Sequence, residues 1–77
     1  DAGGPARQYA LALMYVSGSQ VSADPEKAYA WMRKAAEGGH APAQYDFGVM
    51  CFQGRGGPRD YAAALRWFRT AADAGVA

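Results

Sequence analysis

Apolar positions along this chain recur at steps of three and four, the spacing that gathers side chains on one face of an α-helix. Ala28, Trp31 and Ala35 form one such stripe, and Ala64, Trp67 and Ala71 form another; Met32 and Phe68 join them four residues after Ala28 and Ala64. Stripes of this kind face a core, so both tryptophans are expected to pack there rather than serve as ligand platforms. No stretch alternates with period two, and no strand is expected. The punctuation between the stripes predicts four helices. The first runs from Ala6 to Ser17 and the third from Ala43 to Gln53. Pro5 and Pro42 stand at their first turns, where a missing N–H breaks no helical bond. Gly18 and Gly54 stop them by supplying the left-handed residue a helix end commonly needs. The second and fourth helices open on Asp24 and Asp60, whose carboxylates accept orphan backbone N–H groups and complement the positive end of the helix dipole. They close at Gly38-Gly39 and at Gly75.

The second pair of helices echoes the first. Shifted by 36 residues against itself, the sequence overlaps at 41 positions, of which 13 are identical. Alanine and glycine matches come cheaply in this composition. Tyr9 on Tyr45, Asp24 on Asp60 and Trp31 on Trp67 in a single register do not, and a fixed period of this length marks stacked repeat units. The resulting boundaries are residues 1–5 as the tail of a preceding unit, 6–41 as repeat 1 and 42–77 as repeat 2. The abrupt opening at "DAGG" and an end just past Gly75 suggest an excerpt from a longer array, because units that bury their faces on one another are marginal in pairs.

Composition narrows the function classes. Half of the 77 residues are apolar, and the net charge of +1 comes from interspersed charges of both signs. With no basic stripe, a nucleic-acid partner is not expected. The longest apolar run, residues 10–16, is too short to span a bilayer, so no direct membrane insertion is expected. No signal peptide is visible. Catalytic constellations are thin. His40, the sole histidine, falls in the turn between repeats, and no ligand spacing such as His-x-x-x-His exists. The single cysteine, Cys51, falls inside the third helix as a small buried hydrophobe. The loop "GRGGPRD" lacks the preceding strand and the terminal Lys-Ser/Thr of a phosphate cradle. Glu26, Asp46, Asp60 and Asp73 show no pairing suited to acid–base work. The expectation is a protein that is not an enzyme and holds neither cofactor nor metal.

A second stripe on the odd-numbered helices is the better candidate. Tyr9, Leu13 and Val16 are spaced i, i+4, i+7, as are Tyr45, Val49 and Phe52. They lie apart from Leu11 and Tyr15, or Phe47 and Cys51, which are expected to point into each unit's own core. Gln8, Gln44 and Gln53 flank the stripe. Read from the residues, it either offers apolar anchors to a partner or packs each helix onto neighbouring units, and the spacing leaves both open.

The segments "PARQYALALMYVSGSQVSADPEKAYAWMRKAAEGG" and "APAQYDFGVMCFQGRGGPRDYAAALRWFRTAADAG" resemble the Sel-one-like repeat, a relative of the tetratricopeptide repeat. Departures fall at Ala12, where the family usually has glycine, at Cys51, which replaces tyrosine, and at Gln20 and Gly57, which interrupt a Gly-x-Gly-Val loop. They suggest looser packing at those joints. The resemblance implies an all-α fold, an α-solenoid wound as a right-handed superhelix of helix-turn-helix units. It implies a non-catalytic interaction or scaffold module that holds a protein or peptide partner on its concave face, through Tyr9, Leu13, Val16, Tyr45, Val49, Phe52 and Gln53. Two alternatives stand beside it. In one the units serve purely as spacers in a longer array; in the other they are attached to a cell-wall or hydrolase domain of the parent protein. Self-association through uncovered repeat ends is a further expectation. The resemblance leans towards a bacterial envelope or periplasmic setting, on which the residues themselves are silent.

Overall fold

The computed structural model describes residues 4–75 and contains four helices: α1 Gly4–Ser17, α2 Pro25–Glu37, α3 Ala41–Gln53 and α4 Tyr61–Asp73. There is no strand among the described residues. Helix α1 packs on α2, α2 on α3 and α3 on α4, so two helical hairpins stack in chain order. Asp24 caps α2 by accepting from the backbone N–H of Glu26 and Lys27 at 3.1 and 3.2 Å, and Asp60 caps α4 by accepting from Ala63 N–H at 3.0 Å. Gly18 and Gly54 sit at φ of 76° and 69°, the left-handed stops expected of them.

Helices α1 and α3 each begin two residues earlier than the sequence predicts. Gly4 and Pro5, expected as the end of a preceding tail, lie within the first helix. Proline fits an opening turn, and the ring of Pro5 lies against Gly38, where an added Cβ would stand 2.6 Å from Pro5 Cγ. Residues 1–3, the remainder of that expected tail, and residues 76–77 of the second repeat lie outside the described residues.

The core is built chiefly of alanine, which lets helix backbones approach closely. Ala12, Ala28, Ala35, Ala43 and Ala64 are wholly buried, and Met32, Phe47 and Cys51 fill the space they leave. The tryptophans pack against this core without entering it, and both stay half-buried. Trp67 meets Phe47 edge-on at 5.7 Å, and the ammonium of Lys34 sits 4.8 Å from the Trp31 ring. Each indole covers the seam instead. The joints expected to be loose are closed. Ala12 and Cys51 are buried, and the ring of Tyr29 covers Gly57, where a side chain would overlap it. Gln20 adopts φ 71°, a left-handed conformation that glycine would take more readily.

Candidate functional site

A groove of about 310 Å³ runs between α1 and α3. Leu13 and Val16 form its α1 wall; Tyr45, Val49 and Gln53 form its α3 wall. Met32 and Met50, both buried, make the floor, and Asp46 and Arg55 are the charged groups beside it. Leu13 at 40% and Tyr45 at 45% exposure present large apolar surfaces to solvent. Five of the seven residues proposed from sequence are thus brought together.

The other two are placed differently. Tyr9 donates its hydroxyl to Asp46 Oδ2 at 2.7 Å, and its ring lies 4.9 Å from that of His40. Burial first, then the hydrogen bond and negative charge of Asp46, push the Tyr9 phenol up to about 12. Tyr9 therefore ties one repeat to the next. Phe52 turns away from the groove and meets Tyr61 edge-on at 5.1 Å. It extends the exposed apolar surface towards α4, 55% exposed itself.

Sequence reasoning missed Met32, Asp46, Met50 and Arg55 as lining groups. Residues 46, 49, 50 and 53 stand at i, i+3, i+4 and i+7, and so share one helix face. Starting the stripe at Asp46 instead of Tyr45 would have found it. The charge at the head of that face hid the pattern.

A second, more polar hollow of about 290 Å³ lies between α2 and α4, with Tyr29, Arg33, Cys51, Arg66 and Trp67 around it. Arg33 is held by Glu37 at 3.0 Å, four residues along the same helix, a contact that also raises the Arg33 guanidinium. Burial, ahead of the Asp60 charge, raises the Cys51 thiol, which stays protonated and a poor nucleophile at neutral pH. His40 caps the start of α3 without a side-chain hydrogen bond. Among the described residues no three histidine, cysteine or carboxylate groups come together as a metal site. No helix among them is long and apolar enough to cross a membrane.

Stacked helical hairpins with a groove between their first helices define an all-α helical repeat protein. The Sel1 repeat model matches residues 8–40 and 41–76, and the chain belongs to that family. It is 41% identical over 63 residues to the chitin synthase regulator SKT5 of Malassezia restricta, a match covering 82% of this chain and 4% of that protein. It superposes on a Sel1 repeat protein from Oxalobacter formigenes with a TM-score of 0.90 at 38% identity, covering 92% of this chain and 29% of that one. A protective antigen present in uropathogenic Escherichia coli strains, displaying the same fold, gives a TM-score of 0.91 at 38% identity, with 96% and 16% covered. Helicobacter pylori cysteine rich protein B shares the fold at 22% identity, TM-score 0.90, with 94% and 54% covered. The chain spans between 4% and 54% of the length of these proteins. They come from bacteria and from a fungus. Sel1 repeats are generally non-catalytic scaffolds that mediate protein–protein interaction.

Proposed function

We propose that the groove between α1 and α3 holds a segment of a partner protein, and that the chain is a non-catalytic interaction module. The observation that carries this reading is the pairing of apolar walls, exposed Leu13 and Val16 across from exposed Tyr45 and half-buried Val49, over a methionine floor. Methionine is unbranched and polarizable and adapts to the shape of what it meets. Burying a leucine-sized side chain is worth about 1.5–3 kcal/mol, so two anchors in the groove would provide useful affinity after the cost of ordering the segment. Asp46 and Arg55 add opposite charges, suited to a segment that carries a base and an acid and fixes its direction by them.

In a pull-down from the source organism, Leu13→Glu and Val49→Glu variants, each confirmed helical by circular dichroism, are compared with wild type. A partner retained by wild type and lost by both variants supports the groove. Equal capture by all three baits removes it. A second reading, in which the units serve as spacers, draws on Tyr9. That residue shares the spacing of the apolar stripe and is spent on an inter-repeat hydrogen bond to Asp46. The spacer reading expects the fragment alone to bind nothing.

A further inference from the structure

One wall of the groove carries a half-buried charge. Helices α1 and α3 hold a single carboxylate, Asp46, and a single cation, Arg7, which is not among the groove's residues. Asp46 lines the groove half-buried, and its Oδ2 accepts the Tyr9 hydroxyl at 2.7 Å. Its Oδ1 has no hydrogen-bond or ion-pair partner among the described residues. A hydroxyl orients a carboxylate without neutralising it. Any apolar segment laid over Leu13 and Val49 also takes water away from Asp46, which is costly unless the segment brings a cation. Beyond the other end of α3, Arg55 is exposed and equally without an ion pair among the described residues. Neither charge belongs to the repeat pattern, for Ala10 and Ser19 stand 36 residues earlier. A unit is therefore built without them, and the pair is particular to this groove.

The size of the groove selects the form of the occupant. Helix α3 rises about 12 Å from Asp46 to its cap at Gly54. A helix of that length, about 10 Å across, fills on the order of 1,000 Å³, far more than the groove's 310 Å³ or so. An extended segment is slimmer and sets alternate residues on one face. Four to six of its residues span about 13–20 Å, with flexible charged stems taking up the slack. Resting on the reading that this groove holds a partner segment, we propose that the occupant is an extended stretch. It sets a basic residue against Asp46 and an acidic residue against Arg55, with apolar side chains at alternating positions between them. Tyr9 is the positioning residue: its hydrogen bond fixes Oδ2 of Asp46 and leaves Oδ1 to the incoming base.

The probes are fluorescein-labelled peptides Lys-Thr-Leu-Thr-Leu-Thr-Glu and Glu-Thr-Leu-Thr-Leu-Thr-Lys, one for each chain direction, titrated against the 77-residue protein by fluorescence anisotropy at low salt. One of the two should bind saturably and be lost on Leu13→Glu. Norleucine in place of its lysine should weaken binding about tenfold, a loss of about 1.4 kcal/mol. Asp46→Asn should weaken the lysine peptide by the same factor and leave the norleucine peptide within about twofold, which also shows the variant to be folded. Tyr9→Phe should cost the lysine peptide about threefold and the norleucine peptide nothing, a selective loss that a merely structural role would not produce. Arg55 is more exposed, so Arg55→Glu should cost only about threefold, restored when lysine replaces the peptide's glutamate. Equal binding of the lysine and norleucine peptides, abolished by Leu13→Glu, overturns the charge pattern and leaves the groove standing. Absence of binding by both charged peptides also overturns the charge pattern. Joined to unaltered pull-down capture by the Leu13→Glu and Val49→Glu baits, it overturns the groove as well.

Discussion

Met32 and Phe68 hold the same register position in their repeats, yet only the smaller is buried. Tyr9 and Tyr45 are the same residue at the same position, yet among the described residues only the first has a side-chain hydrogen-bond partner. The difference does not lie in the residues but in the helices stacked on them. Each unit of a stacked repeat completes the core of its neighbour, so identical side chains are structural in one unit and available in the next. In this chain the second repeat covers the first, and nothing among the described residues covers α4.

Truncating the two equivalent positions probes that asymmetry most severely. Met32→Ala should cost about 2–5 kcal/mol, since a fully buried methionine leaves a cavity. Phe68→Ala, despite removing more atoms, should cost less. Urea unfolding followed by circular dichroism measures both, and a larger loss at Phe68 would mean that α4 is as well packed as α2. The hairpins differ in the opposite sense at Ala12 and Gly48, where the second is the tighter. A Cβ at Gly48 would stand 2.8 Å from Phe68 Cε1 and 3.3 Å from the Ala64 carbonyl. Gly48→Val should therefore destabilise by about 1–3 kcal/mol through overpacking, more than the helix propensity gained over glycine returns. An unchanged midpoint would show that Phe68 moves aside freely.

Smaller effects separate the repeats further. Asp24 accepts two backbone N–H bonds and Asp60 one, so Asp24→Ala should cost about 1 kcal/mol and Asp60→Ala somewhat less, read from the same unfolding curves. Tyr9→Phe should lose about 0.5–1.5 kcal/mol, the net worth of its hydrogen bond, while Tyr45→Phe should be close to neutral. The Tyr9 phenol, raised from 10.0 to about 12, binds its proton more tightly in the folded state. Its contribution to stability is present in full below about pH 10 and is lost as the pH rises through about 12. Ultraviolet titration should find one tyrosinate forming near pH 12 that is missing from Tyr9→Phe. An unaltered titration curve would contradict the Tyr9–Asp46 bond.

The helices and their caps were legible because each is written locally: a carboxylate before each second helix, a glycine after each first one, apolar residues at helical spacing between. The repeat period then placed the two hairpins in one register. Burial was less legible, since it depends on neighbours that sequence spacing does not name. The tryptophans read as core, yet both stay half-buried at its edge while Met32 and Phe47 are buried within it. The candidate site was legible in Leu13, Val16, Tyr45, Val49 and Gln53. It was obscured at Asp46, whose charge interrupted the apolar pattern, and at Arg55, which a loop brings in from beyond the end of α3. Phe52 fitted the spacing, but α4 offers it Tyr61 instead.

Amide hydrogen exchange on the free 77-residue protein tests the unequal covering of the two repeats most directly, because it reads local opening segment by segment. With α2 buried on both sides and α4 on one, the amides of residues 64–72 should exchange at least about tenfold faster than those of residues 28–36, a gap of about 1.4 kcal/mol in opening free energy. Equal protection of the two segments would contradict that unequal covering, since it would mean that α4 is held as firmly as α2 without anything covering Leu65.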